Sequence, residues 1–253
     1  MRYRLPVKQI IVDALVITWV EKATLSRVLA LPIFAIIILQ LFWQYYVDSI
    51  SNLAGWINYL IYVFLLVILF INCHRIFLLG KDSVPRYGFN INARILRFYF
   101  WLLVLALIAF ISWYISIAII LTIFNWIEAF NLVSYSEASK SSKVVAEWIS
   151  VLAYIPAVVI ISRLILVLPS IAIDRKDGLL WSWWVTKENS WRMFVIVGVI
   201  PWLISLFIST VFRENQTAFE SVAFYIITYS AIIIEVSVIS LSYKRFKEIR
   251  SET

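Results

Sequence analysis

One cysteine and one histidine, Cys73 and His74, occur among the 253 residues. A lone thiol forms no internal disulfide, so it says nothing about redox compartment. One thiol and one imidazole also exclude a metal centre built from His and Cys ligands. No HExxH, glycine-rich phosphate loop or carboxylate cluster is present, so neither a metal nor a cofactor is expected. Cys73 and His74 are adjacent, and adjacent helical residues do not face each other, which argues against a Cys–His nucleophile pair. No second His is present to serve another nucleophile, and His74 is expected in the interface beside Arg75. Glycine is scarce at five residues, and only Gly55 and Gly198 fall in or beside apolar runs. Transporter helices that break near the bilayer midplane usually carry Gly or Pro there, so this scarcity weighs against a large alternating-access carrier. Pro32, Pro156 and Pro201 remain as kink positions. Charge is scarce too, at 15% of residues where a soluble domain has about 25%.

What is abundant is apolar surface, 63% of residues, with a mean hydropathy of +0.91. Disorder needs the opposite composition, and a soluble domain this apolar would expose large sticky patches. The chain therefore reads as one integral membrane domain, 1–253. A hydrocarbon core of about 30 Å takes roughly 20 helical residues. Six runs qualify, at about 28–47, 53–73, 98–124, 147–168, 193–212 and 221–242. They are too long for barrel strands and do not alternate, so backbone satisfaction in lipid makes them helices.

Lys and Arg distribute unevenly between the connections. The N-terminal segment, the connections after spans 2 and 4, and the tail hold 19 of them, against Lys140, Lys143 and Arg213 on the other side. This asymmetry places both termini in the cytoplasm. It also accounts for the net charge of +7 without nucleic acid. Trp43, Tyr45, Tyr46, Trp56 and Tyr59 mark the outer interface, and Trp181, Trp183, Trp184 and Trp191 the inner one. Ile10–Val20 has the polarity of a signal-peptide core but is interrupted by Asp13 and followed by Glu21 and Lys22. Residues 6–22 are instead expected as an interfacial helix, with Pro6 at its first position. A second such helix is expected at about 178–187.

Trp19-Val20-Glu21-Lys22 and Arg27 recur as Trp184-Val185-Thr186-Lys187 and Arg192, at one offset of 165. A fainter copy at Phe89–Arg97 keeps Ala93 and Arg97. The repeat implies three units, each an interfacial segment followed by two spans. The expected fold is thus an all-α polytopic helical bundle, with six transmembrane helices, N-terminal and internal interfacial amphipathic helices, and a three-fold internal repeat.

The text after span 4 is the most distinctive. Arg163 closes the span; Leu164 to Pro169, the turn Asp174-Arg175-Lys176-Asp177-Gly178, the helix Ser182-Trp183-Trp184-Val185-Thr186 and the start Trp191-Arg192 follow. This stretch resembles the six-span bacterial proteins grouped with YciC and with the membrane domain of glycerophosphodiester phosphodiesterases. Asn189 departs from the pattern, where a Gly is common. The resemblance implies a bacterial cytoplasmic-membrane protein linked to envelope lipids. It implies no phosphodiesterase chemistry in these residues, because that activity belongs to a separate soluble domain.

Two sets of side chains are candidates for function. Arg94 and Arg97, with Arg175, Lys176, Lys187, Arg192 and the interleaved Trp184 and Trp191, have the composition of a cradle for anionic headgroups. Glu235 sits inside span 6, where a charge must be paired, protonated or hydrated; Ser230 and Ser237 are nearby hydroxyls, and Arg163 is a basic partner for it. Arg163 also has a snorkelling role open to it. Asn58, Asn72, Gln40 and Gln44 are polar contacts between spans. The reading is a non-enzymatic multi-pass protein of membrane or envelope homeostasis that binds lipid or a partner protein. The alternative is a small-molecule or ion transporter using Glu235 with Arg163.

Overall fold

The structure is a computed structural model that describes residues 4–46, 52–89, 92–129, 138–212 and 217–251. These fold into α1 (Val7–Val20), α2 (Lys22–Tyr46), α3 (Asn52–Leu79), α4 (Ala93–Ala129), α5 (Ala138–Leu164), α6 (Val167–Ala172), α7 (Leu179–Val185), α8 (Ser190–Phe194), α9 (Ile200–Val211) and α10 (Ala218–Ser251). A π turn, Val195–Val199, joins α8 to α9, and no strand occurs among the described residues. Six helical stretches are long and apolar enough to cross a membrane: Lys22–Gln44, Leu53–Leu79, Ala93–Ile123, Val151–Ala172, Lys187–Val211 and Phe219–Ile249. The chain is a multi-pass membrane protein. Arg2 and Arg213, which enter the charge count, lie outside the described residues.

The helices overrun the expected spans. No Gly or Pro interrupts residues 218–251, and Lys and Arg are good helix formers. Lys244, Arg245 and Lys247 therefore belong to α10 rather than to a separate tail. Pro6 caps α1 one position before its first turn. Pro32 and Pro156 are accommodated inside α2 and α5, and Pro201 follows the π turn at the start of α9. At that turn the backbone passes close to α5: a Cβ on Gly198 would stand 2.5 Å from Val158 Cγ1.

Consecutive spans pair as hairpins, α2 with α3, α4 with α5, and α8–α9 with α10. A turn at residues 165–166 lets α6 continue α5, and α3, α6 and α10 pack on one another. Three apolar clusters fill the bundle. One, around Leu29, Leu69 and Val236, joins α2, α3 and α10. The second, around Ile68, Phe98 and Leu168, joins α3, α4 and α6. The third, around Ile10, Met193 and Tyr243, joins α1, α8 and α10. Within the most apolar window of each span, 39% is buried for α5–α6 but only 6% for α4. The second hairpin thus has one central and one peripheral helix, and the side chains α4 leaves uncovered are those a lipid phase solvates.

His74 is corrected by this packing. It is buried, with Nδ1 2.8 Å from Ser240 Oγ on α10 and its ring beside Phe98. The Ser240 hydroxyl donates to Val236 O, so it is left to accept from the His74 Nδ1–H. Because α3 runs on to Leu79, His74 lies inside the helix pair and not at its end. Cys73 beside it is also buried.

Candidate functional site

The acidic turn after α6 gathers the basic end of the bundle. The chain leaves α6 through Asp174, whose backbone is left-handed at φ 59°. Asp is among the few residues that adopt this conformation readily. Arg175 N then bonds Ser170 O at 2.8 Å and closes the helix end. The Asp174 carboxylate receives three arginines. Arg94 of α4 grips both oxygens, its Nε 3.0 Å from each and its Nη2 also on Oδ2. Arg97 Nη2 reaches Oδ1 at 3.2 Å, and Arg75 Nη1 of α3 stands 3.6 Å from Oδ2. The Arg94 hydrogen bonds, reinforced by the charges of Arg94, Arg75 and Arg97, hold the carboxyl below the usual aspartate range, against a smaller opposing effect of burial. Arg75 also donates to Ala172 O at 3.2 Å and Ser83 O at 2.9 Å.

Asp177, three residues on, fastens the same turn to α10. Tyr243 donates its hydroxyl to Asp177 Oδ2 at 2.5 Å, and Lys247 Nζ lies 2.7 Å from Oδ1. The Lys247 ammonium also sits over the Trp181 ring, 4.6 Å from its centre, and that ring meets Tyr243 edge-on. At the end of α5 the Arg163 guanidinium stacks 3.4 Å over Trp183 and donates to Trp183 O. The Arg163 carbonyl in turn accepts the hydroxyls of Ser182, at 2.6 Å, and Thr186, at 3.3 Å. A helix end leaves such carbonyls without an intrahelical donor, so α7 completes α5.

The distinctive text of the sequence is therefore a tertiary lock. One stretch, 163–192, is fixed to α3, α4, α10 and the N-terminal segment. Asn189 takes part: its Oδ1 accepts from Leu5 N at 2.8 Å while Arg192 donates to Leu5 O at 3.0 Å. A glycine there would leave the buried Leu5 N–H without that acceptor.

The candidate residues divide accordingly. Arg94, Arg97, Arg163 and Arg192 are engaged by the protein itself. Arg175, Lys176 and Lys187 are exposed and make no ion pair among the described residues. Lys187 lies 5.1 Å over Trp184, and the earlier repeat copy makes the same pair, Lys22 3.8 Å over Trp19. Trp184 and Trp191 are 62% and 71% exposed, and Leu180, one helical turn before Trp184, 76%. No ion pair joins Arg163 to Glu235. Arg163 sits against α7, whereas α10 packs mainly on α1 and α3, and also on α2, α6 and α9.

Glu235 is half-buried midway along α10 and finds no partner among the described residues. Ser230 donates to Ile226 O, and Ser237 to Ile234 O and Ala14 O. Asn72 bonds the loop carbonyl of Gly88 at 2.7 Å and so holds a loop rather than a second span. Asn58 Oδ1 is buried without a partner, and Gln40 makes no hydrogen bond among the described residues. The residues not singled out from sequence are Asp174, Asp177, Arg75, Tyr243 and Lys247. Two carboxylates in a turn flanked by Arg and Trp were the available signal, but their partners lie 66 to 99 positions away. No protein-family model, curated protein or solved structure matches the chain.

Proposed function

We propose that this chain is a non-enzymatic protein of the bacterial cytoplasmic membrane that holds anionic lipid at the inner leaflet, in the service of envelope homeostasis. The observation that carries the reading is a run of exposed side chains along 175–191, here called the ridge: Leu180, Trp184 and Trp191, interspersed in sequence with exposed Arg175, Lys176 and Lys187 that have no ion pair among the described residues. Indole rings favour headgroup depth, and each basic residue there attracts anionic lipid by about 1 kcal/mol. The resemblance to the YciC-like proteins agrees with it. The test is native mass spectrometry of the protein released from nanodiscs of phosphatidylethanolamine containing a minor share of phosphatidylglycerol. Retention of phosphatidylglycerol beyond its share is expected. A bare protein would overturn the reading, and a co-extracted protein would make the ridge a partner surface instead.

The orientation has its own test. Cys73 is buried and behaves as a small apolar side chain, so Cys73→Ala gives a thiol-free background. In it, Lys176→Cys should react with a membrane-impermeant maleimide only from the cytoplasmic side, and Thr217→Cys only from the outside. The reverse pattern would turn the molecule over.

The transporter reading has one observation of its own, the unpartnered carboxyl of Glu235. It requires uptake of a labelled solute by proteoliposomes that Glu235→Gln abolishes.

A further inference from the structure

Three cations line a cleft of about 530 Å³ between the basic ends of α3 and α10 and the turn after α6: Lys247, which Asp177 holds, Arg175, whose one side-chain partner among the described residues is the Tyr243 hydroxyl, and Lys244. This is within the roughly 300–1,000 Å³ of small-ligand sites. Leu78, Leu79 and Ile173 form an apolar part of the wall, and Arg175, Lys244 and Lys247 the cationic part. The acids at the cleft already have cations. Asp177 is met by Lys247 at 2.7 Å, and Glu248 by Arg245 at 3.3 Å. Arg175 and Lys244 are exposed and have no carboxylate within ion-pair distance among the described residues. Lys244 stands seven residues before the end of α10 at Ser251, beyond the last turn where a cation offsets the helix dipole. Leu79, half exposed at the end of its span, adds apolar surface facing the same space.

Apolar wall and unmatched cations together suit one ligand chemistry. We propose that this cleft binds a single phosphate-bearing amphiphile, its phosphate held by Arg175 and Lys244 and its apolar part laid on Leu78, Leu79 and Ile173. The inference rests on the lipid-holding reading above and moves the headgroup from the Trp184–Trp191 ridge to the mouth of the three-helix core. Arg94, Arg97 and Arg192 are not available to it, since Asp174 and Leu5 hold them.

The test uses the full chain in the same nanodiscs, comparing wild type, Arg175→Gln/Lys244→Gln, Lys176→Gln/Lys187→Gln and the charge-preserving Arg175→Lys/Lys244→Arg. Removing both cleft cations should lower phosphatidylglycerol retention about 25-fold, about fivefold for each cation at about 1 kcal/mol per charge. The charge-preserving variant should change it less than about twofold, and the ridge variant should lower it several-fold less than the cleft variant does, because its cations meet lipid without enclosing a headgroup. Equal losses in the cleft and ridge variants, or none in the cleft variant, would overturn the cleft while leaving lipid holding intact. Loss in the charge-preserving variant would reveal a folding defect in place of a binding site. If wild type retains no phosphatidylglycerol, lipid holding fails. Titration of inorganic phosphate into detergent-purified protein then decides the site: binding lost in Arg175→Gln/Lys244→Gln makes it a free-phosphate site, and no binding overturns it.

Discussion

Gly88→Ala is expected to remove a large share of the protein's stability. Gly88 has φ +75°, and a Cβ there would overlap the Val28 carbonyl oxygen of α2. The left-handed conformation alone costs a non-glycine residue roughly 1–2 kcal/mol. Forcing backbone away from backbone adds about 1–3 kcal/mol. The shift would also break the buried bond from Asn72 Nδ2 to Gly88 O, 2.7 Å long, worth about 1 kcal/mol or more. Together these approach roughly 4 kcal/mol, a large share of the about 5–15 kcal/mol that holds an ordinary domain together. Gly80→Ala is the matched comparison. Gly80 has φ +85° but nothing within 4 Å of its added Cβ, so only the conformational cost remains. Thermal unfolding of detergent-purified protein, followed by size-exclusion fluorescence, should rank Gly88→Ala well below Gly80→Ala. Equal losses would mean that the contact with α2 carries no weight.

That contact was not legible in the sequence, and the reason is general to this chain. The six spans were legible because a bilayer demands about 20 apolar residues and helical hydrogen bonding whatever else the protein does. The helix at 179–185 was legible as well, since Trp and Ser follow a Gly-ended turn. The repeat was legible as spacing. In the structure the first and third hairpins lie together, His74 meeting Ser240 at 166 positions' distance, and Trp19/Lys22 and Trp184/Lys187 make the same stack. What spacing does not encode is which charge meets which. Arg163 and Glu235 looked like partners because both belong to the basic half of their spans. Packing sends Arg163 to Trp183 and α10 to other neighbours. Arg94, Arg97 and Arg192 counted as free cations because a carboxylate or carbonyl 77 to 187 positions away does not show in a local pattern. Lys244 and Lys247 were hidden for a different reason. They follow the last apolar run, where hydropathy stops but the helix does not.

Asp174→Asn should loosen the joint between the hairpins. Asn tolerates the left-handed backbone at this position, so the substitution removes the charge while sparing the fold of the turn. Arg94 and Arg75 are then left largely covered, their side chains 18% and 15% exposed, without their counter-charge. Charge-assisted hydrogen bonds contribute about 1.5–3 kcal/mol each when buried. The carboxylate is 42% exposed, and solvent screening reduces that, so a loss of about 2 kcal/mol is expected for the set. Its pH dependence follows from the depressed carboxyl pKa. The folded pKa lies below the ordinary value of 3.8, so the stabilisation is complete above that value. It fades as acidification passes through the lower, folded one. Wild type should therefore exceed Asp174→Asn in melting temperature by a constant margin from neutral pH down to about pH 5, and the margin should close at lower pH. Asp174→Ala should fall a further 1 kcal/mol or so at every pH, from the left-handed strain that Asn avoids. A margin between wild type and Asp174→Asn that persists unchanged well below pH 3.8 would show that the arginines bind the turn through something other than this carboxylate.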